Sequence, residues 1–321
     1  MGERLIVSGS DELREYSLVG NVRQSDRGRA KGNARLQGEG CFPGASPGRR
    51  IRLEGSGALC AAGDSVFCAC DWGDVIWRLD GGMLVPTGLF AGGPGMCDLL
   101  LSPDGERLYA LCADADSLLA LSAASGAPLM INRVGVNPRS VSMDESGEVL
   151  AVAGGECASA VLLCARTLRV LGQIQMPGIV YSVALCAGRV HALCLNDSLG
   201  STLTTVLPGG VRQTLRLSGM PGLLLRGRRD LLAATHEHIY AISPDGTRIL
   251  RERDAAGRAG RLFEREGGML LHDSLGESVF SLNERSGRWR LIAEEARDAT
   301  LLRLPDKGED DAPEADKTGQ H

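Results

Sequence analysis

Few residues of this 321-residue chain have types and positions suited to chemistry in concert. Arg139 with Asp98 or Asp298 would supply a general base and an electrostatic clamp for a leaving oxygen. Together with Tyr181 and Arg261 they open successive apolar runs, and a concave mouth lined by a few convergent polar groups is a natural place for a ligand. Other chemistries lack their signatures. No G-x-S-x-G elbow is present, nor a grouping of serine, histidine and acid. Cys68-Ala69-Cys70 and His236-Glu237-His238 each put two ligands on one strand face, but structural zinc wants paired C-x2-C units or their histidine equivalents, so no metal site is assigned. The glycine-rich pieces AGGPG (91–95) and GEGCFPGASPG (38–48) lack the G-K-[ST] ending of a phosphate loop.

These residues come together only if the apolar runs that follow them do. The runs belong to a repeat whose anchor is a short apolar strand ending in a small residue before a polar turn: RLIVSG (4–9), SVFCAC (65–70), RLYALC (107–112), VLAVAG (149–154), RVHALC (189–194), DLLAAT (230–235) and GMLLHD (268–273). From Gly9 through Cys70, Cys112, Gly154, Cys194, Thr235 and Asp273 the steps are 61, 42, 42, 40, 41 and 38 residues. The period is near 41, with roughly 20 extra residues in the first step. The third unit reads as four strands: Cys97 to Leu101, a turn at Ser102-Pro103-Asp104-Gly105, Arg107 to Cys112, Ser117 to Leu121, a turn at Ala124-Ser125-Gly126, and Ala127 to Val134. Proline and glycine supply the turn angles.

A four-stranded unit of this size cannot bury both faces alone, and radial stacking buries them against neighbours while leaving short edges. The expected fold is therefore all-β, a seven-bladed β-propeller in one domain over residues 1–304. DATLLRL (298–304) reads as an innermost strand with no unit after it, and RLIVSG as a second strand with no first before it. The two ends complete one composite blade.

Residues 101–154, with S-P-D-G-x-x-L-Y, an S-G turn and a G-x-N-P-R link, resemble the YVTN-type repeats of lactonase-like propellers. The match covers two units, about a sixth of the chain. The resemblance implies the propeller fold and, as one possible activity, hydrolysis of a small sugar lactone, in which Arg139 with Asp98 or Asp298 would be the catalytic candidates. No catalytic motif of that family is matched residue by residue.

If the strands run as in other propellers, the second-to-third-strand turns share one face with the starts of the inner strands. That face is acidic, with Asp11, Glu12, Asp71, Asp74, Asp114, Asp116, Glu156, Asp197, Glu237, Asp273 and Glu277. Such turns could steer a partner or hold calcium, although Asp is common in solvated turns for its own reasons. Asp98, Arg139, Tyr181, Arg261 and Asp298 are the ligand-binding candidates at the channel mouth. Asp71, Asp74, Asp114 and Asp116 are partner-binding candidates, with Arg27, Arg29 and Lys31 of a basic, glycine-rich insertion at about 19–48, ahead of a fourth strand at RRIRLE (49–54). Residues 305–321 are too polar to bury surface and are expected to be an acidic, disordered tail.

The net charge is −5, and the basic stretch has no interleaved aromatics, so nucleic acid is not the expected partner. No run of 18 apolar residues could span a bilayer, and the N-terminus lacks the apolar core of a secretory signal. A cytoplasmic monomer with reduced cysteines is expected, its thiols mostly acting as small hydrophobes. The functional expectation is a non-catalytic binding or scaffolding module for a protein or small molecule, without cofactor, and the alternative is a lactone hydrolase.

Overall fold

In the computed structural model, residues 2–18, 45–53, 55–70, 75–207, 209–265, 268–284 and 286–304 are described. They form seven four-stranded antiparallel sheets. Blade 1 is the composite one: Asp298–Leu304 is its inner strand, followed outward by Gly2–Ser8, Glu12–Leu18 and Ala45–Arg52. The inner strands of blades 2 to 7 are Ser56–Ala62, Met96–Leu101, Ser140–Met143, Ile179–Cys186, Pro221–Arg226 and Ala259–Arg265. Each touches the next, and Asp298–Leu304 touches both Ala259–Arg265 and Ser56–Ala62, which closes the ring.

The blades stack because the second strands are apolar on both faces. In blade 1, Leu5 and Val7 pack toward Leu270, Val279 and Ile292 of blade 7, while Ile6 between them packs with Leu13 and Leu302 toward Leu59, Val66 and Leu79 of blade 2. Alternation of side chains along a strand thus serves two interfaces at once. Seven such buried clusters occupy the seven blade boundaries. The composite blade is zipped by seven register pairs, Gly2↔Leu304 through Ser8↔Asp298.

The strand boundary that departs most from expectation is in blade 1. The outer strand of blade 1 begins at Ala45 rather than Arg49, because a register shift between Arg14 and Tyr16 sets Pro47 opposite Tyr16. Proline has no N–H to give, and an outer edge strand does not require one. The insertion's Arg27, Arg29 and Lys31 and the residues after 304 lie outside the described residues, as do Asp71 and Asp74.

Candidate functional site

All seven inner strands contribute to one cavity of about 400 Å³ at the mouth of the central channel. Local backbone irregularity shapes it. Five inner strands carry a register shift near their starts, at Gly57-Ala58, Cys97, Tyr181, Gly222 and Gly260, and each of those residues lines the cavity. A bulge adds a residue without a partner across the ladder and re-aims the backbone there.

The five ligand-binding candidates, Asp98, Arg139, Tyr181, Arg261 and Asp298, all reach this cavity. Their pairing departs from expectation. It is Arg261, not Arg139, that holds the two aspartates: its Nη1 donates to Asp98 Oδ1 at 2.8 Å, and its Nε and Nη2 donate to Asp298 Oδ1 and Oδ2 at 3.0 Å each. Burial opposes the charge of this guanidinium, but the carboxylates of Asp298 and Asp98 outweigh it and keep it protonated well beyond its ordinary range.

The aspartates also stitch the ring. Asp298 Oδ2 accepts from Leu59 N of blade 2 at 2.8 Å and its Oδ1 from Ala299 N at 2.8 Å. Asp98 Oδ2 accepts from Val141 N of blade 4 at 3.2 Å, and its Oδ1 from Leu99 N at 3.1 Å. Where other blades lack the aspartate, serines bridge: Ser140 Oγ accepts from Val183 N at 3.2 Å and Ser182 Oγ from Leu224 N at 3.0 Å. A carboxylate offers about four acceptor positions, and at Asp298 all are used. Neither the geometry nor the free acceptor capacity suits Asp298 as a general base.

Arg139 stands over the ring of Tyr181, its guanidinium carbon 4.7 Å from the centroid. Neither Arg139 nor Arg258, which also lines the cavity, has a carboxylate partner among the described residues. With Arg297, four arginines and two aspartates line the cavity. The acidic turns therefore surround an opening whose lining carries the opposite sign. Among those turns, Asp114 is exposed and Asp116 is half-buried; Asp116 Oδ1 accepts from Asn137 N at 2.9 Å and so fixes the link between blades 3 and 4. No group of three or more His, Cys, Asp or Glu side chains converges on a metal-sized point among the described residues.

Cysteines 68, 70, 112, 186 and 194 are buried, whereas Cys97 is an exposed residue at the mouth. Its Sγ turns inward against the carbonyls of Leu111 and Pro138, 3.5 Å from each. Desolvation there, reinforced by the charge of Asp98, pushes its thiol up to about 12, so it is not a thiolate nucleophile at neutral pH.

Sequence reasoning missed Arg258, Arg297 and His272, all in the lining. His272 is 2% exposed. It occupies the fifth position of the GMLLHD anchor, where the other six anchors have Ser8, Ala69, Leu111, Ala153, Leu193 and Ala234. A polar ring at a position otherwise held by small or apolar residues was the available signal.

No protein-family profile matches the chain, and no curated protein matches it in sequence. Solved structures do. A functionally unknown protein from Desulfotomaculum acetoxidans aligns over 94% of this chain and 99% of its own at 10% identity, with a TM-score of 0.72. A streptogramin B lyase aligns over 76% and 85% at 12% identity and TM-score 0.62, and BamB from Moraxella catarrhalis over 84% and 78% at 14% identity and TM-score 0.57. At these identities the likeness concerns the fold alone: the chain is similar to β-propellers that include an enzyme and a protein not described as one.

Proposed function

We propose that this propeller is a non-catalytic binding module whose channel mouth takes a small anionic molecule. The observation that carries this reading is that two arginines, Arg139 and Arg258, line a cavity of about 400 Å³ and have no carboxylate partner among the described residues. A mouth with an excess of fixed positive charge favours an anion, and low-dielectric walls strengthen the attraction. The proposal keeps the binding role that the repeat suggests and moves its locus from the acidic turns to the lining inside them.

The test is isothermal titration of the full chain with carboxylates and phosphates of about three to six carbons, together with neutral and cationic analogues of the same size. Binding of anions in preference to the analogues, abolished in Arg139→Gln/Arg258→Gln, is expected. Equal binding of all three charge classes, or none, would overturn the reading. Calcium and sugar lactones belong in the same series. The YVTN-like repeat supports a lactone-hydrolase alternative, but with Asp98 and Asp298 committed to Arg261 and the backbone it would need another base; turnover of a lactone would bring that alternative forward.

A further inference from the structure

A second cavity, of about 250 Å³, lies between blades 6 and 7. Its lining includes Arg228, Arg229 and Asp230, in the turn after the inner strand Pro221–Arg226. That strand begins at the mouth, where Gly222 lines the first cavity, so the second opens on the opposite face. The register of blade 6 builds one wall. Leu232 stands opposite Ala241 and Ala241 opposite Arg251, while Ile239 stands opposite Arg253 of the outer strand Ile249–Asp254. Register partners share a face of the sheet. Arg251 and Arg253 therefore extend the face that buries Leu232, Ile239 and Ala241 against Met269 and Leu271 of blade 7.

Five arginines and three carboxylates line this cleft. Two of the arginines are neutralised: Arg251 Nη2 pairs with Asp230 Oδ2 at 3.0 Å, and Arg265 Nε with Glu3 Oε2 at 3.1 Å. Glu264 Oε2 accepts from the backbone N of Arg228 and so ties the turn to blade 7. Glu284 is exposed. The side chains of Arg228, Arg229 and Arg253 have no carboxylate partner among the described residues. Their cationic surplus borders apolar side chains, and a low-dielectric wall strengthens the field of a nearby charge.

We infer that the cleft between blades 6 and 7 is a second ligand site, and that it takes a phosphate monoester. A guanidinium fork matches phosphate bidentately. Three oxygens and a charge near −2 suit three unpartnered arginines better than one carboxylate does. Leu232, Ile239 and Met269 offer the carbon part of the ester an apolar wall. The volume falls below the roughly 300–1,000 Å³ of sites for drug-sized ligands, so only the phosphate and a short carbon stem enter.

The experiment is titration calorimetry with 31P spectra on the full chain carrying Arg139→Gln/Arg258→Gln, which silences the mouth. The probes are inorganic phosphate, glycerol 3-phosphate and O-phosphoserine, with glycerol and serine as controls. Phosphate esters should bind and the controls should not. Adding Arg228→Gln/Arg229→Gln/Arg253→Gln should weaken binding roughly tenfold or more; Arg228 and Arg229 are exposed, and the melting temperature checks that the fold survives. Affinity should also fall between pH 7.5 and 5, because the ester loses its second charge near pH 6 while the arginines keep theirs. Tighter binding of a seven-residue phosphoserine peptide than of O-phosphoserine would assign the phosphate to a protein segment, and equal affinity to a free ester. No phosphate binding in the mouth variant, or binding that the three cleft substitutions leave unchanged, would overturn the inference without touching the anion site at the mouth.

Discussion

Arg261 is the residue whose removal should be felt most. Its side chain is 22% exposed and those of Asp98 and Asp298 are 12% and 11% exposed, so all three charges are largely withdrawn from water. Replacing it with methionine keeps most of the volume but leaves two carboxylates facing each other without a cation. Breaking a buried pair by deleting one partner costs about 3–5 kcal/mol, chiefly from the charge left behind. At roughly 2 °C per kcal/mol for a domain of this size, the melting temperature should fall by roughly 6–10 °C. Denaturant melts of wild type and Arg261→Met, followed by tryptophan fluorescence and circular dichroism, measure the difference. Adding Asp98→Asn and Asp298→Asn should recover part of it, even though each amide gives up one of the two backbone acceptor positions its aspartate uses. A loss below about 1 kcal/mol for the single variant, the range of solvent-exposed pairs, would refute the view that this network is a desolvated unit.

Other expectations are more local. A Cβ on Gly126, at φ +72, would stand 2.1 Å from Phe90 Cδ1, so Gly126→Val should destabilise by at least about 1–3 kcal/mol in thermal melts. A chain ending at Arg297 loses the inner strand of blade 1 and its seven register pairs; it should show no cooperative melt and should bind a hydrophobic dye. Burial holds His191 below its ordinary value of 6.5, so the unfolded chain takes up the proton first and stability should drain away as pH falls below about 6.5 until the folded ring itself titrates. The slope of melting temperature against pH in that window should be shallower in His191→Asn. Hydrogen bonds from Ser243 and then Thr247 hold the Asp245 carboxyl at about 2. Its contribution is present above the unfolded carboxylate value and lost as pH falls through about 2, and Ser243→Ala should move the titration upward in a carboxyl NMR experiment.

The repeat made the architecture legible. In RLYALC the run is apolar at every other position on both faces, which suits a strand buried between two blades, and recurrence near 41 residues set the blade count. The composite blade followed from two unmatched fragments, and the structure joins them in register. Blade 1's outer strand was read too short because its first residues, Ala-Ser-Pro-Gly, have turn composition. The site was legible in membership but not in wiring. Position in the repeat brought Asp98, Arg139, Tyr181, Arg261 and Asp298 to one mouth, yet which arginine meets which aspartate depends on bulges at Cys97, Tyr181 and Gly260, single-residue irregularities that a period of about 41 does not reveal. His272 was overlooked because it lies within an anchor strand, where a residue is read first as core.

The pairing of Gly2–Ser8 with Asp298–Leu304 also sets a timetable. Every other blade is built from strands close in sequence and can form soon after its residues are made, but this one requires segments from opposite ends of the described chain to find each other. Such distant contacts carry a large loop-closure cost and slow the search. On the ribosome, the first three strands of blade 1 would wait through synthesis of the six blades between, with the faces of Leu5, Ile6 and Val7 uncovered. The interval before closure is when the chain is most exposed to misassociation, and the composite blade, the last to form, makes the ring one cooperative body.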